Sequence, residues 1–182
     1  YVIGFGKDTA EPTEEEEFWR EVDFVWYQGL KIAMFDVTDT ENPIELHKVI
    51  IGDRGTYSEL LYNHKALLFD EDKGIMSFPV TLAELAESYK EDGADSASVT
   101  GDYVYQGAYV YDVSVEGGFE LKGTITHYTD EELAAMSENY WWYGDNDIER
   151  ILYIGDYFYT VSNGMLKASD MDTLVGVNSI TY

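Results

Sequence analysis

The sequence predicts an all-β fold built of four-stranded antiparallel units of the β-propeller type. Three similar strand patterns each end on an aspartate, and these acids are Asp36, Asp112 and Asp170. A short turn and a second β-rich run follow each of them, at 44–51, 119–127 and 174–180. Aromatic residues make up 15% of the chain and tyrosine is the commonest of them, which favours strands. A repeated hairpin of this kind is typical of stacked four-stranded sheets.

The last unit has the clearest pattern. Its four predicted strands occupy 150–154, 157–162, 165–170 and 174–180. Gly155-Asp156 separates the first two strands, and Asn163-Gly164 separates the next two. Asn-Gly is a strong hairpin signal because both residues tolerate positive φ. We therefore predict an up-and-down sheet over 150–182.

Two earlier units fit the same template with insertions. The middle unit covers about 64–127, with strands predicted at 64–69, 74–80, 103–113 and 119–127. The first unit, at about 1–52, is incomplete, with strands predicted at 1–5, 24–37 and 44–51. Residues 1–182 thus contain a little under three units of a partial propeller domain. Because the chain starts with Tyr1 inside an apparent strand, we expect it to be a fragment of a longer protein.

The long connections all fall between the second and third strands of a unit or between units. They are 7–23, 53–63, 81–102 and 128–149. In an up-and-down sheet these connections leave from one edge, so we expect one elaborated, functional face. They carry 23 of the 36 acidic residues but only 4 of the 11 basic ones. Helices are predicted within them at 82–89 and after the capping box of Thr129 and Glu132. The acidic run 14–17 is either a solvated helix start or a mobile run.

The net charge of −25 limits the classes of partner. Nucleic acid is disfavoured because phosphate binding needs clustered Lys and Arg, and an anionic membrane surface is disfavoured for the same reason. No apolar run is long enough to span a bilayer. The charge permits cations, basic proteins or neutral polymers, and it is also explained by solubility alone. The chain has no cysteine, which excludes disulfides and thiolate metal sites.

Three blocks of residues carry a resemblance to a known family. They are Gly29-Leu30-Lys31 with Phe35-Asp36-Val37-Thr38-Asp39 and Glu41-Asn42-Pro43; Ile51 to Glu59 with Asn63-His64-Lys65-Ala66; and Tyr140-Trp141-Trp142-Tyr143-Gly144 with Leu152-Tyr153-Ile154-Gly155-Asp156. Together they resemble the C-terminal part of a family of secreted bacterial and archaeal proteins that carry a C-terminal β-propeller domain. The resemblance implies a propeller, an extracytoplasmic location and a larger parent protein. It brings no catalytic residues.

The first candidate binding constellation is Arg54, Tyr57, Glu59 and His64. Arginine can clamp a carboxylate with two parallel hydrogen bonds, and histidine can act as an acid or a base. The structural alternative is that Arg54 pairs with a nearby acid and ties one unit to the next. In that alternative His64, at the start of a predicted strand, bonds a backbone carbonyl.

The second constellation is Trp141, Trp142 and Tyr143, beside acidic residues. Large flat side chains next to polar ones suit stacking on sugar rings or capture of a peptide. The alternative is that one or both tryptophans fill the gap between adjacent units.

Calcium is the one cofactor that the sequence makes possible. Asp145 and Asp147 offer hard oxygen ligands, although their spacing does not match an EF-hand loop. The three histidines are spread over different units and give no sign of a zinc site. The recurrent Asp36, Asp112 and Asp170 are expected to accept backbone N–H bonds in the turns that follow them.

The sequence favours a non-enzymatic binding or scaffold module of a secreted or cell-surface propeller. Its ligand would be a glycan, a peptide or a partner protein, contacted through the loop face. One alternative is a hydrolase or lyase acting on polysaccharide or peptide, which would need paired carboxylates in the acidic loops. Another is a purely structural role, in which these units only complete a larger ring with the rest of the parent chain.

Overall fold

A computed structural model describes residues 1–20, 24–91, 97–138 and 144–182. It contains three antiparallel sheets of three, four and four strands, which confirms the predicted all-β class. By compactness the chain divides into two units. The first unit comprises Tyr1–Tyr57 and Leu82–Val104, and the second comprises Ser58–Thr81 and Tyr105–Tyr182.

The first sheet has the order β1-β2-β3. Its strands are β1 (Val2–Ala10), β2 (Trp26–Asp36) and β3 (Ile44–Ile51), with helix α1 (Glu14–Arg20) between the first two. The helix begins in a capping box, because Glu16 N donates to Thr13 Oγ1 while Thr13 N donates to Glu16 Oε2. Leu30 and Ile32 on β2 are fully buried and form part of the core of the first unit.

The second sheet has the order β4-β5-β6-β7 and the third the order β8-β9-β10-β11. The strands of the second sheet are β4 (Leu68–Asp70), β5 (Ile75–Glu84), β6 (Asp102–Ser114) and β7 (Gly118–Ile125). Those of the third are β8 (Arg150–Ile154), β9 (Tyr157–Val161), β10 (Met165–Asp170) and β11 (Gly176–Thr181). Helices α2 (Glu87–Glu91) and α3 (Asp130–Ala134) lie in connections, as do the 3₁₀ turns Glu59–Leu61, His64–Ala66 and Ala135–Glu138. The Thr129–Glu132 capping box before α3 is confirmed.

A core of aliphatic side chains and one phenylalanine joins the second and third sheets within the second unit. Its buried members are Ile75, Ala108, Val110, Ile125, Ile148, Ile151, Phe158 and Met171. Burial of a side chain as large as Phe158 stabilises the fold by about 2–3 kcal/mol. Polar contacts add to this core, since Lys167 Nζ donates to Thr126 O at 2.9 Å and the Tyr153 hydroxyl donates to Asp70. These contacts fix the second and third sheets against each other.

The predicted role of the recurrent aspartates is right for two of the three. Thr38 N donates to Asp36 Oδ1 at 2.8 Å, and Thr173 N donates to Asp170 Oδ1 at 2.9 Å. The prediction is wrong for Asp112, which lies inside β6 opposite Glu120. The strand continues two residues further because its partner β7 begins as early as Gly118.

Four predicted boundaries are also wrong. The first strand, predicted at 1–5, extends to Ala10, because β1 pairs with β2 as far as Trp26. His64 does not open a strand but begins a 3₁₀ turn, because the Asn63 side chain accepts Lys65 N and caps it. Residues 82–84, predicted as helix, continue β5. The last strand begins after Leu174, which has φ 59 and therefore lies in the turn. The Asn163-Gly164 hairpin forms as predicted, but neither residue is among those with positive φ.

None of the helices in the described ranges has the length and apolarity needed to cross a bilayer.

Candidate functional site

The segment from Gly52 to Tyr57, termed here the 52–57 loop, leaves the first sheet after β3. Gly52 has φ +62 and Gly55 has φ +110, conformations that glycine adopts without strain. A Cβ atom on Gly52 would lie 2.2 Å from Thr56 Oγ1, so glycine is also required by space. The two glycines let the chain turn sharply within four residues.

Hydrogen bonds fix the 52–57 loop along the end of β5. The carbonyl oxygen of Ala83 accepts from Asp53 N at 2.8 Å and from Thr56 Oγ1 at 3.1 Å. Thr56 Oγ1 in turn accepts from Ala83 N at 3.0 Å, and the Asp53 carboxylate accepts from Leu85 N at 2.8 Å. Thr56 is buried, so these bonds are made away from water and hold the loop in one conformation.

The Arg54 side chain leaves this loop and lies over Trp26. The guanidinium carbon is 4.7 Å from the centroid of the indole, and Nη1 donates to the carbonyl oxygen of Tyr27 at 3.1 Å. Arg54 Nε is buried and has no hydrogen-bond partner among the residues that the structure describes. Among the residues that the structure describes, no carboxylate lies within ion-pair distance of Arg54. The alternative that Arg54 pairs with a nearby acid therefore does not hold in that part of the chain.

A second cation, Lys7 on β1, reaches the same loop. Its ammonium group donates to the carbonyl oxygen of Thr56. The pKa of Lys7 is lowered from its usual value, first because burial removes water from the ammonium group and second because the Arg54 charge repels it. We call these two side chains the Lys7–Arg54 pair. The pair brings together two like charges, each partly buried, in an acidic protein.

Trp26 is itself held in place by neighbours in the first unit. Its Nε1 donates to Glu16 Oε2 at 3.2 Å, and the Phe24 ring meets the indole edge-on at a centroid distance of 5.2 Å. The same Glu16 oxygen also accepts from Thr13 in the capping box of α1. The indole therefore offers the guanidinium a fixed face, which is a favourable cation–π arrangement.

The four residues of the first predicted constellation belong to different compact units. Arg54 and Tyr57 belong to the first unit, whereas Glu59 and His64 belong to the second. Tyr57 is 36% exposed on the same loop as Arg54. Glu59 Oε1 accepts from Asn63 Nδ2 at 3.1 Å, and His64 is exposed in its 3₁₀ turn. Lys7 and Trp26 were not among the predicted site residues, although Lys7 is one of the four basic residues in the predicted long connections.

Comparison with known proteins places the chain in a family. The family model for the Beta propeller domain matches residues 1–174. The chain belongs to this Beta propeller domain family. An uncharacterized protein of Archaeoglobus fulgidus is similar, with 28% identity over 116 residues. This match covers 62% of the present chain but only 16% of that protein. No solved structure matches the chain significantly.

In this propeller domain the Lys7–Arg54 pair is suited to binding an anion. The guanidinium is always charged and presents its donors in a plane that matches a carboxylate, and a nearby ammonium adds a second positive charge. The rigid 52–57 loop and the fixed Trp26 ring hold Arg54 without help from a ligand. Such an arrangement is preorganised, which reduces the entropy lost on binding.

The other predicted sites of the propeller domain are the aromatic constellation at 141–143 and the calcium site at Asp145 and Asp147. Trp141, Trp142 and Tyr143 lie outside the described residues. Asp147 has protein donors, because the Tyr128 hydroxyl donates to Oδ1 at 2.7 Å, and the carbonyl oxygen of Asp145 accepts from Gly164 N at 2.7 Å. Within the described ranges no group of three His, Asp or Glu side chains is placed to hold a metal. Calcium binding at Asp145 and Asp147 stays a prediction.

One further titratable group is buried in the second unit of the propeller domain. His127 Nδ1 lies 2.9 Å from Ser162 Oγ, and its Nε2 lies 2.8 Å from Thr160 Oγ1. Burial, and secondarily the charge of Lys167, lowers the pKa of His127 to about 4. The imidazole is therefore neutral at physiological pH and joins β9 to the segment after β7.

Proposed function

We propose that this β-propeller domain is a non-catalytic binding module of a secreted or cell-surface protein. Its ligand carries a carboxylate group, which binds at the Lys7–Arg54 pair. The observation that supports this most is that the pair has no acidic partner in the described ranges, although the chain contains 36 acidic residues.

The energetics of the pair support an anionic ligand. Arg54 and Lys7 repel each other, and burial of the ammonium group makes its charge costly. A carboxylate bound between them would offset both costs and would form charge-assisted hydrogen bonds with the guanidinium. The bound state would therefore be stabilised relative to the free protein without a rearrangement of the 52–57 loop.

Two kinds of extracellular ligand present such a group. A uronic acid in a glycan carries one carboxylate on each sugar ring, and an acidic peptide carries one on each Asp or Glu. Trp141, Trp142 and Tyr143 remain candidates for further contacts by stacking. Glu59 and His64 are not used in this proposal, because the ligand contacts assigned to the pair lie entirely within the first unit.

A purely structural role is the second candidate function for this segment. It is favoured by the hydrogen bonds of Asp53 and Thr56, which are all directed at the protein itself. Under that role Arg54 would serve only to fix the start of β2, through the Tyr27 carbonyl and the Trp26 ring.

The test is titration calorimetry with two probes, oligogalacturonate and oligoglutamate, and with the methyl ester of the first as a neutral control. We expect the carboxylate form of one probe to bind more tightly than its neutral analogue, and Arg54→Ala to weaken that binding about tenfold or more. Arg54→Lys should weaken it less. Lys48→Ala is the matched control, since Lys48 already pairs with Glu45 at 3.4 Å.

The outcomes separate the two candidate functions. Binding that is equal for Arg54→Ala and for the unaltered chain would contradict a ligand role for Arg54. A loss of thermal stability in Arg54→Ala, with no carboxylate binding in the unaltered chain, would favour the structural role. Binding that weakens as salt rises would support an ionic contact.

A further inference from the structure

Strand register and two hydrogen bonds bring Lys7 and Arg54 to one place in the first unit. Thr9, which follows Lys7 closely on β1, lies opposite Tyr27 on β2. Arg54 Nη1 donates to the carbonyl oxygen of Tyr27 at 3.1 Å, so the guanidinium reaches β2 beside the strand that carries Lys7. From the other side, the Lys7 amino group donates to the carbonyl oxygen of Thr56, in the same loop as Arg54.

The surroundings of Lys7 favour the neutral, nucleophilic form of its amine. The side chain is half-buried, and within the described part of the chain no carboxylate lies at ion-pair distance from it. Burial first, and the Arg54 charge second, lower the pKa of Lys7, so more of it is neutral at physiological pH. Only the neutral amine has the lone pair that attacks an electrophilic carbon. We therefore expect Lys7 to react with small electrophiles more readily than an exposed lysine does.

Arg54 provides a receptor for negative charge beside this amine. Its Nη1 is used by the Tyr27 carbonyl oxygen, whereas its buried Nε has no hydrogen-bond partner in the described ranges. A buried donor without an acceptor costs free energy, and a negatively charged oxygen would remove that cost. The guanidinium cannot lose its proton, so it keeps its preference for an anion at any physiological pH. An anionic group formed on Lys7 itself would lie next to this receptor.

We propose that Lys7 is a site of reversible modification by carbon dioxide, and that Arg54 holds the resulting carbamate. In this reaction the lone pair of Nζ forms a bond to the carbon of CO₂, and one C=O π pair moves onto its oxygen. Nζ then releases a proton to water, so a neutral amine and CO₂ give a carbamate anion and one proton. The N–H that remains on Nζ still donates to the carbonyl oxygen of Thr56.

The carbamate reverses the electrostatics of the Lys7–Arg54 pair. The charge on Lys7 changes from positive to negative, so its repulsion of Arg54 becomes an attraction. The modified lysine thereby supplies the acid that the pair lacks in the described ranges. One consequence rests on the proposed function: a carbamate at Lys7 would occupy the guanidinium and exclude the carboxylate of a ligand, so dissolved CO₂ would regulate binding.

Lys167 in the second unit is a matched internal control. Its amino group donates to the carbonyl oxygen of Thr126 at 2.9 Å, as that of Lys7 donates to Thr56. Burial also lowers the pKa of Lys167, but among the described residues no arginine charge contributes to that shift. The two amines therefore share partial burial and a backbone acceptor and differ in the guanidinium. A difference in their reactions with CO₂ measures what Arg54 adds.

The test is trapping with a trialkyloxonium salt, which converts carbamates to stable esters, followed by proteolysis and mass spectrometry. The chain is first equilibrated with isotopically labelled bicarbonate and CO₂. We expect about tenfold more label on Lys7 than on Lys167. Arg54→Gln should lower the label on Lys7 to the level of Lys167, because it removes both the repelling charge and the receptor. Arg150→Gln is the control variant, since Arg150 Nη1 donates to the carbonyl oxygen of its neighbour Glu149, and should leave the label unchanged.

Equal label on Lys7 and Lys167 would overturn the proposal, and so would label on Lys7 that Arg54→Gln leaves unchanged. If that variant does not fold, the ratio of the two lysines in the unaltered chain still decides. Label on Lys7 in a chain that binds neither carboxylate probe would support the carbamate and contradict the proposed ligand. Carboxylate binding with no label on Lys7 would overturn the carbamate and leave the proposed function intact.

Discussion

Two glycines determine how closely the first sheet can approach its own exit loop. A Cβ on Gly29 would lie 2.1 Å from the carbonyl oxygen of Gly52 and 2.6 Å from that of Ile51, both of them backbone atoms. Gly52 has positive φ, and a Cβ there would meet Thr56 Oγ1 at 2.2 Å. The Gly29 contacts are with backbone atoms and cannot be relieved by rotation of a side chain, so β2 or the 52–57 loop would have to move. At Gly52 the positive φ adds backbone strain for any other residue.

We therefore predict that Gly29→Ala destabilises the protein by about 3 kcal/mol or more, since overpacking and backbone displacement both contribute. The measurement is the free energy of unfolding from urea titration. Gly6→Ala is the control, because a Cβ at Gly6 meets nothing within 4 Å. Equal stability of the two variants would show that the close approach of Gly29 is not required.

A single buried histidine should make stability depend on pH. The pKa of His127 is about 4 in the folded protein, below its ordinary value of 6.5. Between these values the unfolded chain binds a proton that the folded protein does not, so stability is complete above about pH 6.5 and falls as the pH drops towards 4. The loss amounts to at most about 3 kcal/mol.

This pH dependence is measured by urea unfolding at pH 7, 5 and 4 on the unaltered chain and on His127→Gln. Glutamine can still bond Ser162 and Thr160 but does not titrate. As the pH falls, the unaltered chain should lose more stability than His127→Gln does. A difference that is constant with pH would exclude His127 as the source.

The sequence predicts single residues well only where their partners are local. Asp36 and Asp170 bond backbone groups two or three residues away, and the Asx turn is therefore readable from the sequence. The contact of Lys7 with Thr56 joins residues 49 positions apart and leaves no local pattern. The geometry at Arg54 could likewise not be predicted, because Trp26 and Tyr27 come from a different strand.

At the scale of elements, the 52–57 loop and β5 depend on one hydroxyl group. Thr56 Oγ1 both accepts from Ala83 N and donates to Ala83 O, and it is almost fully buried. Thr56→Val keeps the shape of the side chain but leaves Ala83 N without this acceptor in a buried position. We predict a loss of about 2 kcal/mol in the free energy of unfolding.

Urea titration tests this loss, and Thr56→Ser is the matched control because it keeps the hydroxyl and removes only a methyl group. Hydrogen exchange offers a second measurement, since the amide of Ala83 should exchange faster in Thr56→Val than in Thr56→Ser. A valine variant as stable as the serine variant would contradict the assigned hydrogen bonds.

The hydrogen bonds of Asp53 and Thr56 also explain why the end of β5 was not predicted as a strand. Strands with alternating aromatic or β-branched residues, such as β2 and β9, were predictable to within a few residues. The end of β5 contains Ala83 and Glu84, which have low strand propensity, and the sequence suggested a helix there. Its strand conformation is supported by hydrogen bonds from Asp53 and Thr56, which are distant in sequence.

At the scale of the whole molecule, net charge should limit stability at low salt. The folded protein confines 36 acidic and 11 basic residues in a smaller volume than the unfolded chain does. Within the described residues only three Lys–carboxylate pairs occur, and all are partly or largely exposed, so they offset little of the repulsion. Added salt screens the repulsion and should favour the folded state.

We therefore predict that raising NaCl from about 0.02 M to about 0.5 M increases the urea concentration at the midpoint of unfolding. Sucrose at matched osmolality is the control for effects unrelated to charge. Replacing the exposed acids Glu14, Glu15 and Glu17 by glutamine should reduce the response to salt. A midpoint that does not respond to salt would show that repulsion among the acids is not limiting.

The all-β class and the succession of sheets could be predicted at this scale because they follow from a pattern repeated along the chain. The arrangement of long connections on one face depends on how sheets are placed, and that expectation stays a prediction. The Beta propeller domain match over residues 1–174 supports the repeat but names no ligand.

The equal register of the second and third sheets has a consequence for how such a protein changes length over generations. Val113 N donates to Gly74 O at 2.7 Å in the second sheet, and Met171 N donates to Asp156 O at 2.9 Å in the third, so these two sheets share one register at this turn. A gene duplication or deletion of one whole unit then creates or removes one complete joint and leaves every other joint as it was.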